Sequence, residues 1–336
     1  MPEQKELTYG EAINEALRRC LEDDPRALLY GEDTAKPGGV FGVTRRLHRE
    51  FGDRVFDTPI SESAILGSAI GAALVGMRPI VEIMWLDFAM VAFDQLVNQA
   101  ANVRYVSQGD LTAPITVRTQ QGYLPGSCAQ HAQNLEAMVA HIPGLRVCVP
   151  VSAQDAHDCV LAGHYCDDPV VIIENRGLYR GAKEAVEVKG PVRPIGGSRT
   201  LSSGDDITLV SWGPIIREVT AAAGLLDEAG IGATVIEMVW LNPLDMSPIL
   251  ESVSRTGRVL VVHEANVTGG LGAEISARVA ESGVAVRSPV RRLGLPDVPV
   301  PAAPHLMGAL LPNAAAIADA AAATMEVPDV GNEVAG

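Results

Sequence analysis

Three short segments hold the side chains best placed to do chemistry. The first is Thr58-Pro59-Ile60-Ser61-Glu62, followed at once by a run of small residues that includes Ala64, Gly67, Ser68, Gly71, Ala72 and Gly76. Proline disfavours helix in the residue before it, so Thr58 reads as extended, Ser61 as a helix N-cap and Glu62 as a first-turn residue. Each interior glycine costs a helix about 1 kcal/mol relative to alanine. Small residues four apart leave flat faces on which another backbone can pack, so a carboxylate sits where a helix start meets a second surface.

The second segment, Glu82-Ile83-Met84-Trp85-Leu86-Asp87-Phe88, ends a strand and starts a helix. Carboxyl ends of strands are where α/β sheets bind ligands, and an aromatic there can stack on a flat ring. The third runs from Arg118 to His131, a long loop with Gly122, Pro125 and Gly126 that closes on Gln130-His131-Ala132-Gln133. His131 is an acid–base candidate because imidazole titrates near neutrality. Taken singly, each segment has a local explanation: a glutamate in a tight helix pair, an aromatic in the core, a histidine bonded at a helix start.

The elements that must position these residues alternate along the first half. Helices are expected at Glu11–Glu22, around Thr44–Glu50, at Ala89–Arg104 and at Ala153–Gly163. Strands are expected at Ala27–Gly31, Pro79–Met84, Ile115–Thr119, Arg146–Val149 and Val170–Glu174. The run Gly190-Pro191-Val192-Arg193-Pro194-Ile195-Gly196-Gly197 reads as a linker. Beyond it the alternation restarts, with strands at Ile207–Trp212, Ala233–Val239, Arg258–Glu264 and Val286–Leu293. Helices fall between them, and an alanine-rich helix follows at Ala314–Ala323. This pattern predicts an α/β protein of two parallel-sheet, three-layer domains. The expected division is residues 1–189, a linker 190–201, residues 202–326 and a frayed tail 327–336.

Composition narrows the function. The chain has 336 residues, is 47% apolar and carries a net charge of −15, which disfavours nucleic-acid binding and suits docking on a basic partner. The nearly uncharged run Ala64–Met77 is 14 residues, too short for a bilayer, and the N-terminus lacks a signal core. A cytoplasmic protein away from membranes is expected. The five cysteines contain no Cys-x-x-Cys pair, and the seven histidines contain no His-x-x-x-His pair, so no metal site is assigned. Gly269-Gly270-Leu271-Gly272 opens a helix but lacks the spacing of a dinucleotide loop. There is no phosphate-binding Walker loop, no Gly-x-Ser-x-Gly elbow and no Gly-Asp-Gly with a downstream asparagine.

In order and spacing the segments resemble the β-subunits of thiamine-diphosphate-dependent 2-oxo-acid dehydrogenases, the pyruvate, branched-chain and acetoin types. The resemblance spans nearly the whole chain. It rests on Gly38-Gly39-Val40-Phe41, Thr58–Glu62, Phe93-Asp94-Gln95, Gln130-His131-x-Gln133, Pro143-Gly144-Leu145-Arg146-Val147, Pro243-Leu244-Asp245 and Val262-His263-Glu264-Ala265. It implies an N-terminal thiamine-pyrimidine-binding domain and a C-terminal transketolase-like domain. It also implies that Glu62 hydrogen-bonds the aminopyrimidine ring of thiamine diphosphate and exchanges the activating proton. Phe88 would stack on that ring, Met84 would line its pocket, and His131 would orient the 2-oxo acid or assist acyl transfer to lipoamide.

For a chain without Gly-Asp-Gly, the resemblance also implies that Mg2+ and the diphosphate are held by a separate α-subunit, in an α2β2 heterotetramer with a β–β core on the small-residue helix. The acyl acceptor implied is the lipoyl arm of an acyltransferase. Ala132 stands where the family usually has serine, and Val239-Trp240-Leu241 lacks the usual arginine. These departures leave open transfer of a two-carbon unit to a carrier protein, and a non-catalytic scaffold is the third reading. Leu86, Tyr123 and Leu124 suggest an apolar substrate pocket. No monovalent-cation site is assigned at Cys166-Asp167-Asp168.

Overall fold

Thr8 starts the first long helix: its hydroxyl accepts from Glu11 N–H at 3.2 Å while the Glu11 carboxylate accepts from Thr8 N–H at 2.9 Å. This reciprocal capping box satisfies two of the helix's free donors. The computed structural model describes residues 3–326, so the expected frayed tail lies outside the described residues. Residues up to Ile195, together with Leu241–Pro243, form one compact unit, and Gly196–Trp240 with Leu244 onward form another.

In the first unit the order is β1 (Gln4–Leu7), α1 (Tyr9–Asp23), β2 (Ala27–Gly31), α2 (Leu47–Phe51), β3 (Val55–Asp57), α3 (Glu62–Leu74) and β4 (Arg78–Ile83). There follow α4 (Val103–Val106), β5 (Thr116–Gln121), α5 (Glu136–Ala140), β6 (Arg146–Cys148), α6 (Ala153–Tyr165), β7 (Val170–Asn175) and β8 (Glu184–Glu187). The central sheet runs β6-β7-β5-β4-β2-β3, all parallel, and the strand Trp240–Asn242 extends it beside β6. β1 and β8 make a separate antiparallel pair. Helix α1 buries Ala12, Ile13, Ala16, Leu17, Cys20 and Leu21, the i, i+4 stripe expected of an amphipathic helix packed on a core.

Helix α3 buries Ile65, Leu66, Ala69, Ile70 and Ala73, while Ala64, Ser68 and Gly71 face outward. Gly76, at φ 95°, ends it in the left-handed conformation, and Met77 N–H closes on Ala72 C=O at 3.0 Å. The inner small-residue face is used within the chain: Gly67 lies against the Gln95 side chain, and Ser63 donates to Val91 C=O at 2.7 Å.

Three expectations for this unit need correction. The single helix expected at Ala89–Arg104 is broken into a tight 3-10 segment (Leu86–Ala92), a wide π segment (Gln95–Ala100) and α4. Asp94 accepts from the side chains of both Gln95 and Asn98 at the join, an alternative to regular helical continuation. The basic helix near Thr44–Glu50 shortens to α2, because Arg46 takes a left-handed φ of 71° that stops helix before it. Leu86 is fully buried, so it is core rather than pocket wall.

The second unit contains β9 (Ser198–Ser202), β10 (Ile207–Ser211), α7 (Ile216–Glu228), β11 (Ala233–Met238), α8 (Ser247–Thr256) and β13 (Val259–Asn266). It continues with α9 (Leu271–Glu281), β14 (Arg291–Leu295), α10 (Pro304–Leu310) and α11 (Ala314–Met325), the strand Trp240–Asn242 being β12. Its sheet runs β14-β13-β10-β11-β9, parallel except for the antiparallel edge strand β9. The last strand is thus Arg291–Leu295, not Val286–Leu293.

The Gly269-Gly270-Leu271-Gly272 turn has a packing role. A Cβ on Gly270, Gly272 or Gly294 would fall within 2.8–2.9 Å of the His263 ring, which stacks on Trp212 at 5.1 Å. Burial lowers the His263 pKa to about 4, so the ring is neutral and its Nδ1 donates to Ala265 C=O at 3.1 Å. By length and composition the stretch Pro304–Met325 could cross a membrane. It is divided into α10 and α11, and α11 buries Ile317, Ala321 and Thr324.

Candidate active site

Glu62 is the first residue of α3 and is 7% exposed. Ser61 stands at the N-cap position, but its side chain makes no capping bond. Glu62 makes no hydrogen bond or ion pair among the described residues, although it lies at a helix start whose free N–H groups favour negative charge. Its electrostatic neighbour is Glu32, just past the end of β2. Burial, then the charges of Glu62, Asp33 and Glu82, raises the Glu32 pKa, and one Glu32 oxygen is buried without a partner. Sequence reading missed Glu32. The available signal was its position at the carboxyl end of a strand, in Gly31-Glu32-Asp33.

The carboxyl end of β4 contributes Met84, Trp85, Asp87 and Phe88, and the loop after β5 contributes His131. The imidazole packs edge-on against two rings, with centroids 5.4 Å from Trp85 and 5.3 Å from Phe88. Asp87 draws the histidine segment in, accepting from the Gln133 side chain at 2.9 Å and from Gln133 N–H at 3.4 Å. Met84 and Phe88 are half-buried at the same strand end.

Below this edge lies a buried ion cluster. Arg118 on β5 donates to Glu174 at 2.6 and 2.8 Å and to Glu82 at 2.8 Å. Gln120 donates to the second Glu82 oxygen at 3.0 Å, and Tyr179 to Glu174 at 2.5 Å. The sheet register explains the assembly: Arg118 pairs with Glu82 across β4–β5, and Gln120 with Glu174 across β5–β7. Residues two apart share a face, so all four side chains meet. Burial disfavours the Arg118 charge, but Glu174 and Glu82 outweigh it and hold the guanidinium firmly protonated.

The structure therefore gathers Met84, Phe88 and His131 around Trp85, and sets Glu62 beside Glu32, all from the carboxyl ends of β2, β3, β4 and β5. A cleft of about 1050 Å3 lined by Asn102, Tyr105, Pro143 and Pro169 opens at the amino ends of β5, β6 and β7. That is the opposite edge from this chemistry, so cleft size does not locate the site. Asp167 and Asp168 are engaged by Arg78, Arg104 and Arg146. The donor set suits an aminopyrimidine: a buried, unpartnered carboxylate for a ring nitrogen and an aromatic ring for stacking.

Comparison with known proteins defines the class first. Residues 5–182 match the transketolase pyrimidine-binding domain, and residues 196–317 match the transketolase C-terminal domain. A solved structure described as a split-gene transketolase, an inactive β4 tetramer, superposes with a TM-score of 0.77 at 25% identity, covering 96% of this chain and 99% of that one. The β-subunit of acetoin:2,6-dichlorophenolindophenol oxidoreductase from Cupriavidus necator is 38% identical over 96% of this chain and 98% of its own. The pyruvate dehydrogenase E1 β-subunit of Staphylococcus epidermidis is also 38% identical, over 96% and 99%. The 2-oxoisovalerate dehydrogenase β-subunit of Bacillus subtilis is 39% identical, over 89% and 93%. The chain belongs to the family of β-subunits of thiamine-diphosphate-dependent 2-oxo-acid dehydrogenases.

Proposed function

We propose that this chain, with an α-subunit, decarboxylates a 2-oxo acid using shared thiamine diphosphate and passes the acyl group to the lipoyl arm of an acyltransferase. The observation that carries the reading is Glu62: a buried carboxylate with no partner among the described residues, at a helix start on the ligand-binding edge of the sheet. When bound, the cofactor supplies a carbon nucleophile that attacks the keto group and stores the electrons released with CO2. Glu62 holds and exchanges a proton at the aminopyrimidine nitrogen. Phe88 and Met84 hold the ring, and His131, clamped between Trp85 and Phe88, presents its imidazole to the substrate or departing acyl group. The diphosphate and Mg2+ are assigned to the α-subunit, as the family resemblance implies for a chain without a Gly-Asp-Gly motif.

The test is to mix the chain with an α-subunit of the same source, supply pyruvate and branched 2-oxo acids, and follow an artificial electron acceptor. Turnover of one of these acids is expected, and none with any of them would end this reading. His131→Ala is expected to lower turnover about 10²–10⁴-fold, the usual contribution of a positioned acid–base group. It should leave proton exchange at the cofactor's thiazolium carbon near the wild-type rate. Loss of that exchange would show that His131 acts earlier than proposed.

We assign the outer face of α3 to a β–β contact within an α2β2 tetramer. Gly71 on that face has nothing within 4 Å of a built Cβ. Gly71→Leu therefore fits the isolated chain but would overpack a close helix pair, at about 1–3 kcal/mol per site and twice across a dyad. Sedimentation of the complex should show dissociation at concentrations where the wild type stays tetrameric. An unchanged tetramer would remove α3 from the interface.

A further inference from the structure

A 2-oxo acid reaches this edge against the field of an acidic chain. Glu32, Glu62 and Asp87 line the carboxyl ends of the strands, and the net charge is −15. The cation nearest the middle of the sheet cannot greet it, because both carboxylates on Arg118 already take its donors. Arg176 differs. It directly follows β7, the neighbour of the strand whose loop carries His131.

Its guanidinium carbon lies 3.5 Å from the Trp85 ring centroid and 4.5 Å from that of Phe41. Trp85 is the same indole that touches His131. Among the described residues Arg176 has no carboxylate partner, and its Nε is buried with no acceptor. Partial burial lowers its pKa to about 10, so it stays charged at neutral pH. A charged donor left buried and unpaired is costly, and aromatic faces compensate only part of a lost anion. The planar fork of Arg176 is shaped for two-point pairing with a carboxylate.

We infer that Arg176 receives the carboxylate of the 2-oxo acid, and that it sets the preference of this site for anionic over neutral carbonyl substrates. The inference rests on the reading of the site as a 2-oxo-acid decarboxylase. The ion pair holds the carboxylate alike while the acid is bound and while its keto group is attacked, so it is binding made equally in the ground and transition states. Its loss therefore acts mainly on KM.

The test uses the assembled complex loaded with cofactor. Arg176→Gln is expected to raise KM for pyruvate or a branched 2-oxo acid about 10–100-fold, the usual worth of a charged hydrogen bond. It should leave kcat within about threefold, and KM for a neutral substrate, acetoin, should not move. Arg176→Lys, which keeps charge but not the fork, should fall between wild type and glutamine. A second readout needs no turnover. Oxamate, an unreactive carboxylate analogue of pyruvate, should change indole fluorescence in the wild type and not in Arg176→Gln, with near-ultraviolet circular dichroism reporting that the variant is folded. An unchanged KM for the acid, an equal rise for acetoin, or oxamate titrating both proteins alike would overturn the assignment. If the wild-type complex turned over no 2-oxo acid, the functional reading would fall. The oxamate comparison would still decide whether Arg176 binds a carboxylate.

Discussion

Replacing Glu62 with glutamine is expected to slow hydrogen–deuterium exchange at the thiazolium carbon of bound thiamine diphosphate about 10²–10⁴-fold in the assembled complex. The amide keeps the length and shape of the carboxyl but cannot take up and return a proton. Glu62 is 7% exposed and makes no hydrogen bond among the described residues, so the substitution breaks no described contact that holds α3 in place. Thermal stability and cofactor affinity should therefore stay close to wild type, since the diphosphate is assigned to the other subunit. Quenched-flow exchange, read by proton NMR of the acid-released cofactor, separates this step from turnover. Exchange at the wild-type rate in Glu62→Gln would remove the central claim about the site. Equal loss of exchange in Glu62→Gln and His131→Ala would refute the division of roles between them.

The largest effect on stability is expected at Arg118. Arg118→Met removes the one cation between Glu82 and Glu174, both of which lie in the sheet with almost no exposure. Breaking a buried ion cluster by deleting one partner costs about 3–5 kcal/mol, because the remaining charge stays uncompensated. For a unit of this size that corresponds to a fall in Tm of roughly 6–20 °C. Adding Glu174→Gln to Arg118→Met should recover part of the loss, since it removes one stranded charge and leaves a group that Tyr179 can still bond. Differential scanning calorimetry of the three variants tests this. An Arg118→Met protein with unchanged Tm would show that the cluster contributes nothing to stability. The cluster also connects to the site, because Glu82 belongs to the strand that delivers Met84, Trp85 and Phe88.

Several elements were legible because their signals are local. The i, i+4 apolar stripe of α1 lies within a few helical turns, although its Thr8/Glu11 box, which starts the helix two residues before the expected Glu11, was not read. The start of α3 at Glu62 follows the Thr58-Pro59 step, which keeps the residue before the proline out of helix, whereas the cap expected from the Ser61 side chain is not made. The apolar runs of β2 and β7 appear where strand patterns end at glycine or polar residues. Other features were not legible, because their causes lie far away in sequence. The helix expected at Ala89–Arg104 has helical composition, yet it gives way to 3-10 and π turns where it packs on α3 and around Gln95. The Gly-Gly-Leu-Gly turn lacks the spacing of a dinucleotide loop, yet what its glycines make room for, the His263 ring, is a neighbour only in three dimensions.

By itself, then, the sequence determined the alternation of helices and strands, the carboxylate at the start of α3 and the histidine-bearing loop after β5, since each follows from steric and capping rules that reach only a few residues. Tertiary structure alone decided which of these residues meet. Glu82, Arg118 and Glu174 are separated by 36 and 56 residues in sequence and are joined only by the order and register of β4, β5 and β7. The same holds for Glu32 beside Glu62, for His131 between Trp85 and Phe88, and for Arg176 over Trp85. Strand order is set by burying apolar surface across the whole unit, a global condition that no local window of the chain contains.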